Sequence, residues 1–314
     1  MIRSFIETLH KSIDFSGTVL FDEPLSRHTT FRVGGPAEVL VRPSAACFQE
    51  YAALLLSAAR RHGIPIFILG GGANLVVADS GIKGIVLDTG SFSDTVLTQA
   101  SDGSISVRAG THVNTAVDLA AAQALSGFEF LAGLPGSIGG AVYMNAQCYG
   151  HSIADTLESV TILNETGALV SIPFKPEDYG YKRSPFQNSQ VLIMSARCRL
   201  HPGVSSRIQE QIAEYRTDRL HKGQYRFPSA GSMFKNNPAF GKPTGMIIAA
   251  LGLRGLQRGG AAVSPFHGNI IINTGQACAA DIRAVVAEVA ARVKAATGFD
   301  LELEVIFTPE LPVQ

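Results

Sequence analysis

The sequence lacks the features that mark several large classes of protein. It has no excess charge of either sign, because 26 Lys and Arg residues balance 26 Asp and Glu residues. A neutral chain gives no support for general binding to nucleic acid or to a membrane surface. Its four cysteines are scattered, without a C-x-x-C pair or a Cys/His cluster. This argues against a disulfide framework and a structural zinc site, and it suits a reducing cytosol.

Long apolar runs are also missing. The most apolar stretch, Ala52 to Ala59, ends at Arg60 and Arg61, far short of the roughly 20 residues that a membrane span requires. Residues 1–11 carry charges within their apolar part, so they predict an amphipathic helix and not a signal peptide. We therefore expect a cytoplasmic protein that does not bind membranes. No group of side chains has metal-ligand spacing, so no catalytic metal is expected.

Two common phosphate-binding fingerprints are absent as well. No G-x-G-x-x-G opens a helix after a strand, and no Gly-Lys-Ser/Thr marks a P-loop. Glycine itself is abundant, with 32 residues, and it is prominent in two apolar segments, L-G-G-G-A-N-L at residues 69–75 and Leu131 to Gly150. Backbone without Cβ atoms can offer its N–H groups to a diphosphate. The alternative is that each segment is a tight turn or bulge in the core.

At 314 residues the chain is long enough for two or three domains, and the rest of it mixes helical and strand patterns. Alternation over S-V-T-I-L-N, A-L-V-S-I and V-L-I-M-S-A-R-C-R-L predicts antiparallel strands. Shorter strands are predicted at A-E-V-L-V, at a buried I-F-I-L and at L-E-L-E-V-I-F. Periodicity and end signals predict further helices over Ser44–Gly63 (with Ser44 as the N-cap), Thr111–Leu125, Ser206–Lys222, Thr244–Leu251 and Asp281–Thr297.

Six segments, in order and with matching spacing, resemble one family. They are H-T-T-F-R-V-G-G-P-A, L-G-G-G-A-N-L, L-A-G-L-P-G-S-I-G-G-A-V-Y-M-N-A, Y-K-R-S-P-F, S-A-G-S-M-F-K-N and L-E-L-E-V. From about Ser26 to Phe307 the chain is similar to the UDP-N-acetylenolpyruvoylglucosamine reductases of peptidoglycan synthesis. These enzymes belong to the wider group of vanillyl-alcohol-oxidase-like flavoproteins. The chain resembles the shorter type, which lacks a substrate-capping loop.

The resemblance implies a fold and a cofactor. We expect two α+β FAD-binding subdomains over residues 1–85 and 86–202, and a separate α+β substrate-binding domain over 203–300. Residues 301–314 would return to the FAD-binding half, and the protein would be a monomer. The positions that match FAD contacts in the family are Arg32, Gly70, Gly71, Gly72, Ala73, Asn74, Leu75, Gly110, Pro135, Gly136, Ser137, Gly139, Gly140 and Asn145.

The resemblance also implies a reaction with two hydride transfers at one site. NADPH reduces FAD, and the flavin N5 then passes the hydride to the vinyl carbon of UDP-N-acetylglucosamine enolpyruvate, giving UDP-N-acetylmuramate. Ser232 matches the family's proton donor, and Glu304 matches the residue that helps to polarise the substrate carboxylate. A serine cap and an exposed strand glutamate are the alternatives, and the latter suits Glu302 better than Glu304.

One catalytic position departs from the family, which has Arg directly after the tyrosine of this motif. Here Tyr181 is followed by Lys182 and then Arg183. Alignment on Gly180, Tyr181 and Ser184 gives the position to Lys182, although an inward-turned Arg183 is the alternative. Lysine supplies the charge but not the bidentate fork of arginine.

The remaining matches concern the substrate. Tyr181, Arg183, Lys222, Asn236 and His267 match substrate-binding positions, although Lys222 also suits a solvated charge at a helix end. Phe266 replaces the family's usual lysine beside His267. Two other interpretations stay open: an oxidase of the same flavoprotein group, and a nucleotide-binding protein without catalysis.

Overall fold

The computed structural model describes residues 2–93, 98–99, 104–187 and 189–309, with only the backbone at 98–99. The last five residues of the predicted C-terminal tail lie outside these ranges. The chain forms two compact units, and each is discontinuous in sequence. The first unit comprises Met1–Asp22, Glu38–Gly71 and Lys83–Arg216, and the second unit comprises Glu23–Ala37, Gly72–Ile82 and Thr217–Gln314.

The described residues contain seven α-helices. They are α1 (Ile2–Lys11), α2 (Phe48–Arg61), α3 (Val113–Ala122), α4 (Ile138–Tyr143), α5 (Ser205–His221), α6 (Thr244–Ala250) and α7 (Ala279–Thr297). The helices predicted near residues 1–11, 111–125, 206–222, 244–251 and 281–297 are confirmed, with ends that move by a few residues.

The strands are more numerous and mostly short. They are β1 (Gly17–Pro24), β2 (Pro36–Pro43), β3 (Ile66–Leu69), β4 (Leu75–Val77), β5 (Ile82–Asp88), β6 (Thr98–Gln99), β7 (Ser104–Arg108), β8 (Leu125–Ser126), β9 (Gln147–Cys148), β10 (His151–Ser152), β11 (Leu157–Leu163), β12 (Leu169–Pro173), β13 (Leu192–Arg199), β14 (His201–Pro202), β15 (Ser229–Ser232), β16 (Gln257–Arg258), β17 (Ala261–Val263), β18 (Ile270–Asn273) and β19 (Ile306–Thr308).

Helix α2 packs on the sheet of order β1-β2-β5-β3 in the first unit. Its buried Tyr51, Ala52, Leu55 and Ala59 recur at helical spacing and form one apolar face. The predicted start of this helix at Ser44 is wrong. The Ser44 side chain forms a hydrogen bond with the Ser16 side chain, and residues 45–47 form a turn. The helix therefore begins at Phe48, without a side-chain cap. The predicted buried strand β3 exists, but only its last residue is buried.

A second sheet in the first unit has the order β12-β11-β13-β7-β6. Its β11, β12 and β13 pair antiparallel, which confirms the prediction from alternation. Its apolar face contributes to one core cluster with α3 and α4, which includes Val107, Val117, Ile138 and Ala196. Helix α4 was not predicted, because glycine is a poor helix former and two glycines stand in its six residues.

The second unit is built on the sheet β15-β18-β17-β16 and on α7. Helix α7 buries Ile282, Val285, Val289 and Val293 in the core cluster that also contains residues of β17 and β18. Its first turn is capped from far along the chain, because both carboxylate oxygens of Asp79 accept backbone N–H groups, from Ala279 at 2.8 Å and Ala280 at 3.0 Å.

The C-terminal strand differs from the prediction for L-E-L-E-V-I-F. Regular pairing begins only at Ile306, where β19 runs parallel to β4 with Ile306 opposite Leu75. The prediction is wrong for residues 301–305, because residues 302–304 instead bond to the chain that follows β15.

Helices and strands mix within each unit, so the α+β fold class is confirmed. No helix among the described residues is long and apolar enough to cross a membrane. All four cysteines are free thiols.

Candidate active site

The two glycine-rich segments meet in the first unit. The Gly71 N–H donates to Ser137 Oγ at 3.3 Å, and a Cβ on Gly71 would lie only 2.5 Å from the Gly136 Cα. A Cβ on Gly70 would lie 2.7 Å from Ser137 Oγ. Glycine is therefore required here so that two protein backbones can pack against each other.

What this packing leaves for a ligand is a set of N–H groups. Ser137 caps α4 by accepting from the Gly140 N–H, and the Gly139 N–H donates to the Ala109 carbonyl at 2.8 Å. The N–H groups of Gly136 and Ser137 find no acceptor among the residues that the structure describes. Unsatisfied backbone donors on a segment without large side chains fit a phosphate group. Pro135 directly precedes these donors in the chain, and Gly110 packs against a different backbone, since a Cβ there would lie 2.1 Å from the Thr89 carbonyl oxygen.

The second unit holds the rest of the first glycine-rich segment, Gly72 to Leu75. The Gly72 carbonyl accepts the Thr30 N–H at 3.1 Å, and Leu75 begins β4. Within the described ranges, the N–H groups of Gly72, Ala73 and Asn74 have no acceptor. This segment meets the same requirement for phosphate binding. Arg32, also expected to contact the cofactor, is exposed on a turn with φ of 55°.

Lys182 lies at the tip of a two-residue turn in the first unit. Gly180 and Arg183 exchange both backbone hydrogen bonds, each at 3.1 Å, so Tyr181 and Lys182 are the central residues. Lys182 has φ of 55°, a conformation that a residue with a Cβ adopts at a cost. Its side chain is half-buried, with Nζ 5.9 Å from the centre of the Tyr181 ring.

The neighbouring Arg183 points back over its own turn. Its guanidinium Nη2 lies 3.5 Å from the Glu177 carbonyl oxygen, and its side chain covers Gly180. Arg183 is also the more exposed of the two basic residues. This arrangement favours Lys182 as the charge that the turn presents.

Asn145 anchors the turn. The Asn145 Nδ2 donates to the Gly180 carbonyl at 2.8 Å, and its Oδ1 accepts the Ala154 N–H at 3.3 Å. The side chain is only 4% exposed, and Ser184 adds a hydrogen bond to the Tyr143 carbonyl at 2.7 Å. Asn145 was expected to contact the cofactor, and the contacts seen here make it a support for the Lys182 turn.

Ser232 ends β15 directly after a bulge. Ser229 and Ser232 pair with Ile272 and Ile270, so two residues of β15 oppose one residue of β18. Gly231 takes φ of 75° within the bulge, a conformation that favours glycine. The half-buried Ser232 hydroxyl makes no hydrogen bond to any described residue and caps no helix. The alternative of a capping serine is thus not supported.

Glu304 lies beside Ser232 on the neighbouring segment. Its N–H donates to the Met233 carbonyl at 2.9 Å, and its own carbonyl accepts from Asn74 Nδ2 at 3.0 Å. The same two segments are joined again two residues further along, where the Lys235 N–H donates to the Glu302 carbonyl at 2.8 Å. The Lys235 Nζ also donates to the Glu302 carboxylate. The structure therefore brings two predicted catalytic residues and one predicted cofactor residue together within the second unit. Glu302, by contrast, is exposed.

Sequence reasoning missed the residue that fixes this arrangement. Asn269 is 3% exposed, and its side chain accepts the Phe234 N–H at 3.0 Å and donates to the Phe234 carbonyl at 2.7 Å. Its own carbonyl accepts the Met233 N–H at 2.8 Å. One signal was available, because a polar residue directly before the all-apolar run I-I-I must find buried partners.

The remaining substrate candidates of the second unit make contacts of their own. Lys222 Nζ forms an ion pair with Asp218 at 2.6 Å, and Asn236 Oδ1 accepts the Thr244 N–H. Burial lowers the pKa of His267 below 6.5, and the charges of Lys222 and Arg254 lower it further.

His267 Nδ1 accepts the Asn269 N–H at 3.1 Å, so Nε2 carries the proton of the neutral ring. No group of three or more possible metal ligands occurs within residues 2–93, 104–187 and 189–309.

Comparison with known protein families gives a match for an N-terminal and for a C-terminal part of the chain. Residues 48–172 match an FAD binding domain, and residues 223–308 match the UDP-N-acetylenolpyruvoylglucosamine reductase C-terminal domain. The expected FAD-binding fold agrees with the first of these matches.

Full-length relatives carry the assignment across the chain. A UDP-N-acetylenolpyruvoylglucosamine reductase from Treponema pallidum is 41% identical over 91% of this chain and 92% of its own length, and one from Treponema denticola is 39% identical over 98% of both. The crystal structure of the Thermus caldophilus reductase covers 94% of this chain and all of its own, with a TM-score of 0.76 and 34% identity. The chain belongs to the UDP-N-acetylenolpyruvoylglucosamine reductase family.

Proposed function

We propose that this protein reduces UDP-N-acetylglucosamine enolpyruvate to UDP-N-acetylmuramate, a step of peptidoglycan synthesis, with NADPH as the electron source. When bound, FAD supplies the redox chemistry, accepting a hydride from NADPH and delivering it to the vinyl carbon. Backbone N–H groups of the two glycine-rich segments would hold its diphosphate. The chain's own residues then have two tasks, to polarise the substrate carboxylate and to supply one proton.

Ser232 performs the proton transfer in this proposal. Its hydroxyl makes no hydrogen bond to a described residue, and Ser232 directly follows the bulge at Gly231. A serine hydroxyl is a weak acid, but the carbon centre left by hydride addition is a strong base. A weak donor held in position is therefore sufficient.

Glu304 and Lys182 act on the substrate carboxylate. As hydride arrives, negative charge spreads into that carboxylate, and a positioned cation or acid stabilises it. Lys182 is presented at the tip of a turn in a conformation that costs energy, a feature often found at functional sites. Glu304 is held beside Met233, the residue after Ser232, through a backbone bond.

Tyr181, Arg183, Lys222, Asn236 and His267 are proposed to bind the rest of the substrate. We also infer that the protein acts as a monomer in the cytoplasm, in keeping with its balanced charge and free thiols. The division at residues 85, 202 and 300 stays a prediction.

The observation that carries this function is the placement of Ser232 and Glu304 on two hydrogen-bonded segments. The test uses purified holoenzyme under anaerobic conditions. NADPH should bleach the flavin absorbance, and the enolpyruvyl substrate should then restore it and give a product heavier by two hydrogens. A flavin that NADPH reduces but that this substrate leaves reduced would contradict the proposal and favour an oxidase of the same group.

A further inference from the structure

An open pocket of about 490 Å³ lies in the second unit, at the end of α5 and in the loop that follows it. It is lined by Leu220, His221, Tyr225 and Arg226. None of these residues has a part in the reaction proposed above. Leu220 and Tyr225 are large side chains that remain 58% and 46% exposed, so the pocket offers apolar and aromatic surface to a ligand.

Arg226 is held in place by an aromatic ring. Its guanidinium carbon lies 4.3 Å from the centre of the Phe266 ring, within the range of a cation–π contact. The same ring packs against Gly223, where a Cβ would come within 2.8 Å of the Phe266 Cγ. The Arg226 N–H donates to the Gly223 carbonyl at 3.3 Å. Phe266 therefore supports both the loop and the cation at its tip.

The charge of Arg226 is not neutralised by an acidic neighbour. In the described part of the chain, no carboxylate lies within ion-pair distance of its guanidinium. Lys222 of the same loop differs, because it is paired with Asp218. A cation–π contact does not use the N–H donors of the guanidinium, and the planar edge that carries them matches two phosphate oxygens.

We propose that this pocket binds phosphate groups of a nucleotide, with Arg226 as the cation that the pocket itself supplies, Phe266 as its support and Tyr225 as a surface for the base or ribose. The proposal rests on the proposed function, because both co-substrates are nucleotides. One carries a uridine diphosphate, and NADPH carries a dinucleotide diphosphate and a further phosphate. Either one could supply the phosphate groups, so the experiment must separate them.

The test titrates UDP and NADP⁺, separately, into oxidised holoenzyme by calorimetry. Arg226→Ala should weaken binding of one nucleotide by about tenfold, the expected loss for a charged hydrogen bond. Arg226→Lys should recover part of it, and Phe266→Leu should cost about threefold. Arg283→Ala is the matched control, since Arg283 also lies over a ring, that of Phe307, but on α7.

The outcomes separate the two proposals. If wild-type protein binds neither nucleotide, the proposed function fails. If it binds them and Arg226→Ala binds both within twofold of wild type, the pocket proposal alone is overturned. Weaker binding of UDP assigns the pocket to the sugar nucleotide, and weaker binding of NADP⁺ assigns it to the electron donor. Flavin content and far-ultraviolet circular dichroism show whether each variant is folded.

Discussion

Two buried asparagines support the candidate catalytic residues, one in each unit, and they differ in how firmly they do so. Asn145 gives the Lys182 turn one side-chain hydrogen bond, at Gly180. Asn269 gives the Ser232 segment two, at both polar groups of Phe234, while its own carbonyl holds Met233. The Ser232 segment is also bonded through its backbone to residues 302–304, whereas the Lys182 turn receives a further bond from a side chain, with Gln187 Nε2 donating to the Lys182 carbonyl at 3.0 Å.

The difference matches what each residue has to do. A proton donor must lie within hydrogen-bond distance of one carbon atom, so a small displacement is costly. A cation that stabilises a carboxylate acts over a longer range and tolerates more movement. We therefore expect the reaction to be more sensitive to changes around Ser232 than to changes around the turn, and four measurements test this.

The largest effect is expected for Ser232→Ala. Reoxidation of the flavin by the enolpyruvyl substrate should slow by about 10²–10⁴-fold, because water cannot replace a positioned donor. Reduction by NADPH should stay near the wild-type rate. Ser229→Ala, at the other end of β15, is the control. Stopped-flow absorbance measures both half-reactions, and equal slowing of the two would mark Ser232 as a structural residue.

The next effect is expected at the turn. Lys182→Ala should cost roughly 2–5 kcal/mol, seen mainly in substrate-driven reoxidation, because a bound carboxylate loses its partner. Arg183→Ala should be mild, since that side chain covers Gly180 and bonds Glu177. Lys182→Arg should keep or raise activity through its bidentate fork. If Arg183→Ala is the damaging change and Lys182→Ala is tolerated, the charge belongs to Arg183.

Truncation of the two asparagines compares the supports directly. Asn269→Ala should lower the free energy of unfolding by about 2–4 kcal/mol, because both polar groups of Phe234 are left buried without partners. Asn145→Ala should cost about 1–2 kcal/mol, since water can reach Gly180. Asn273→Ala, which also removes buried side-chain bonds, is the control. Urea titration measures stability, and Asn269→Ala should also slow reoxidation by folded protein more than Asn145→Ala does.

The smallest effect concerns pH. Since the pKa of His267 is lowered in the folded protein, the unfolded chain takes up more protons below about pH 6.5. Its contribution to the free energy of unfolding is therefore intact above that pH and is lost as the pH falls. His267→Asn should flatten this fall. Burial also lowers the pKa of His10, so His10 makes stability fall with pH in the same direction. Part of the slope of unfolding free energy against pH should therefore remain in His267→Asn. An unchanged slope in His267→Asn would contradict this assignment.

Much of the fold followed from local pattern. Periodicity placed α5 and α7 within two residues, and alternation identified the antiparallel pairing of β11, β12 and β13. The errors share one cause, which is tertiary bonding that overrides local preference. Ser44 bonds to Ser16 instead of capping α2, and residues 302–304 bond to the chain after β15 instead of extending β19.

The candidate site divides in the same way. The proximity of Ser232 and Glu304 could be expected only from the resemblance, since 71 residues stand between them in the sequence. Asn269 and Arg226 went unnoticed because their importance depends on what they touch, Phe234 in one case and Phe266 in the other. A sequence pattern predicts which residues are buried, but it does not readily predict which residues contact each other in the folded protein.

The pairing of β4 with β19 has a consequence for the order in which the protein is made. Leu75 leaves the ribosome more than two hundred residues before Ile306, its partner, and at about 5–20 residues per second the interval is on the order of tens of seconds. Asp79 likewise waits for Ala279. The first unit contains no residue beyond Arg216, so all of it has been synthesised while β4 still lacks its partner β19. Strand β4, which continues the glycine-rich backbone from Gly72 to Asn74, therefore gains its strand partner only when translation is nearly finished.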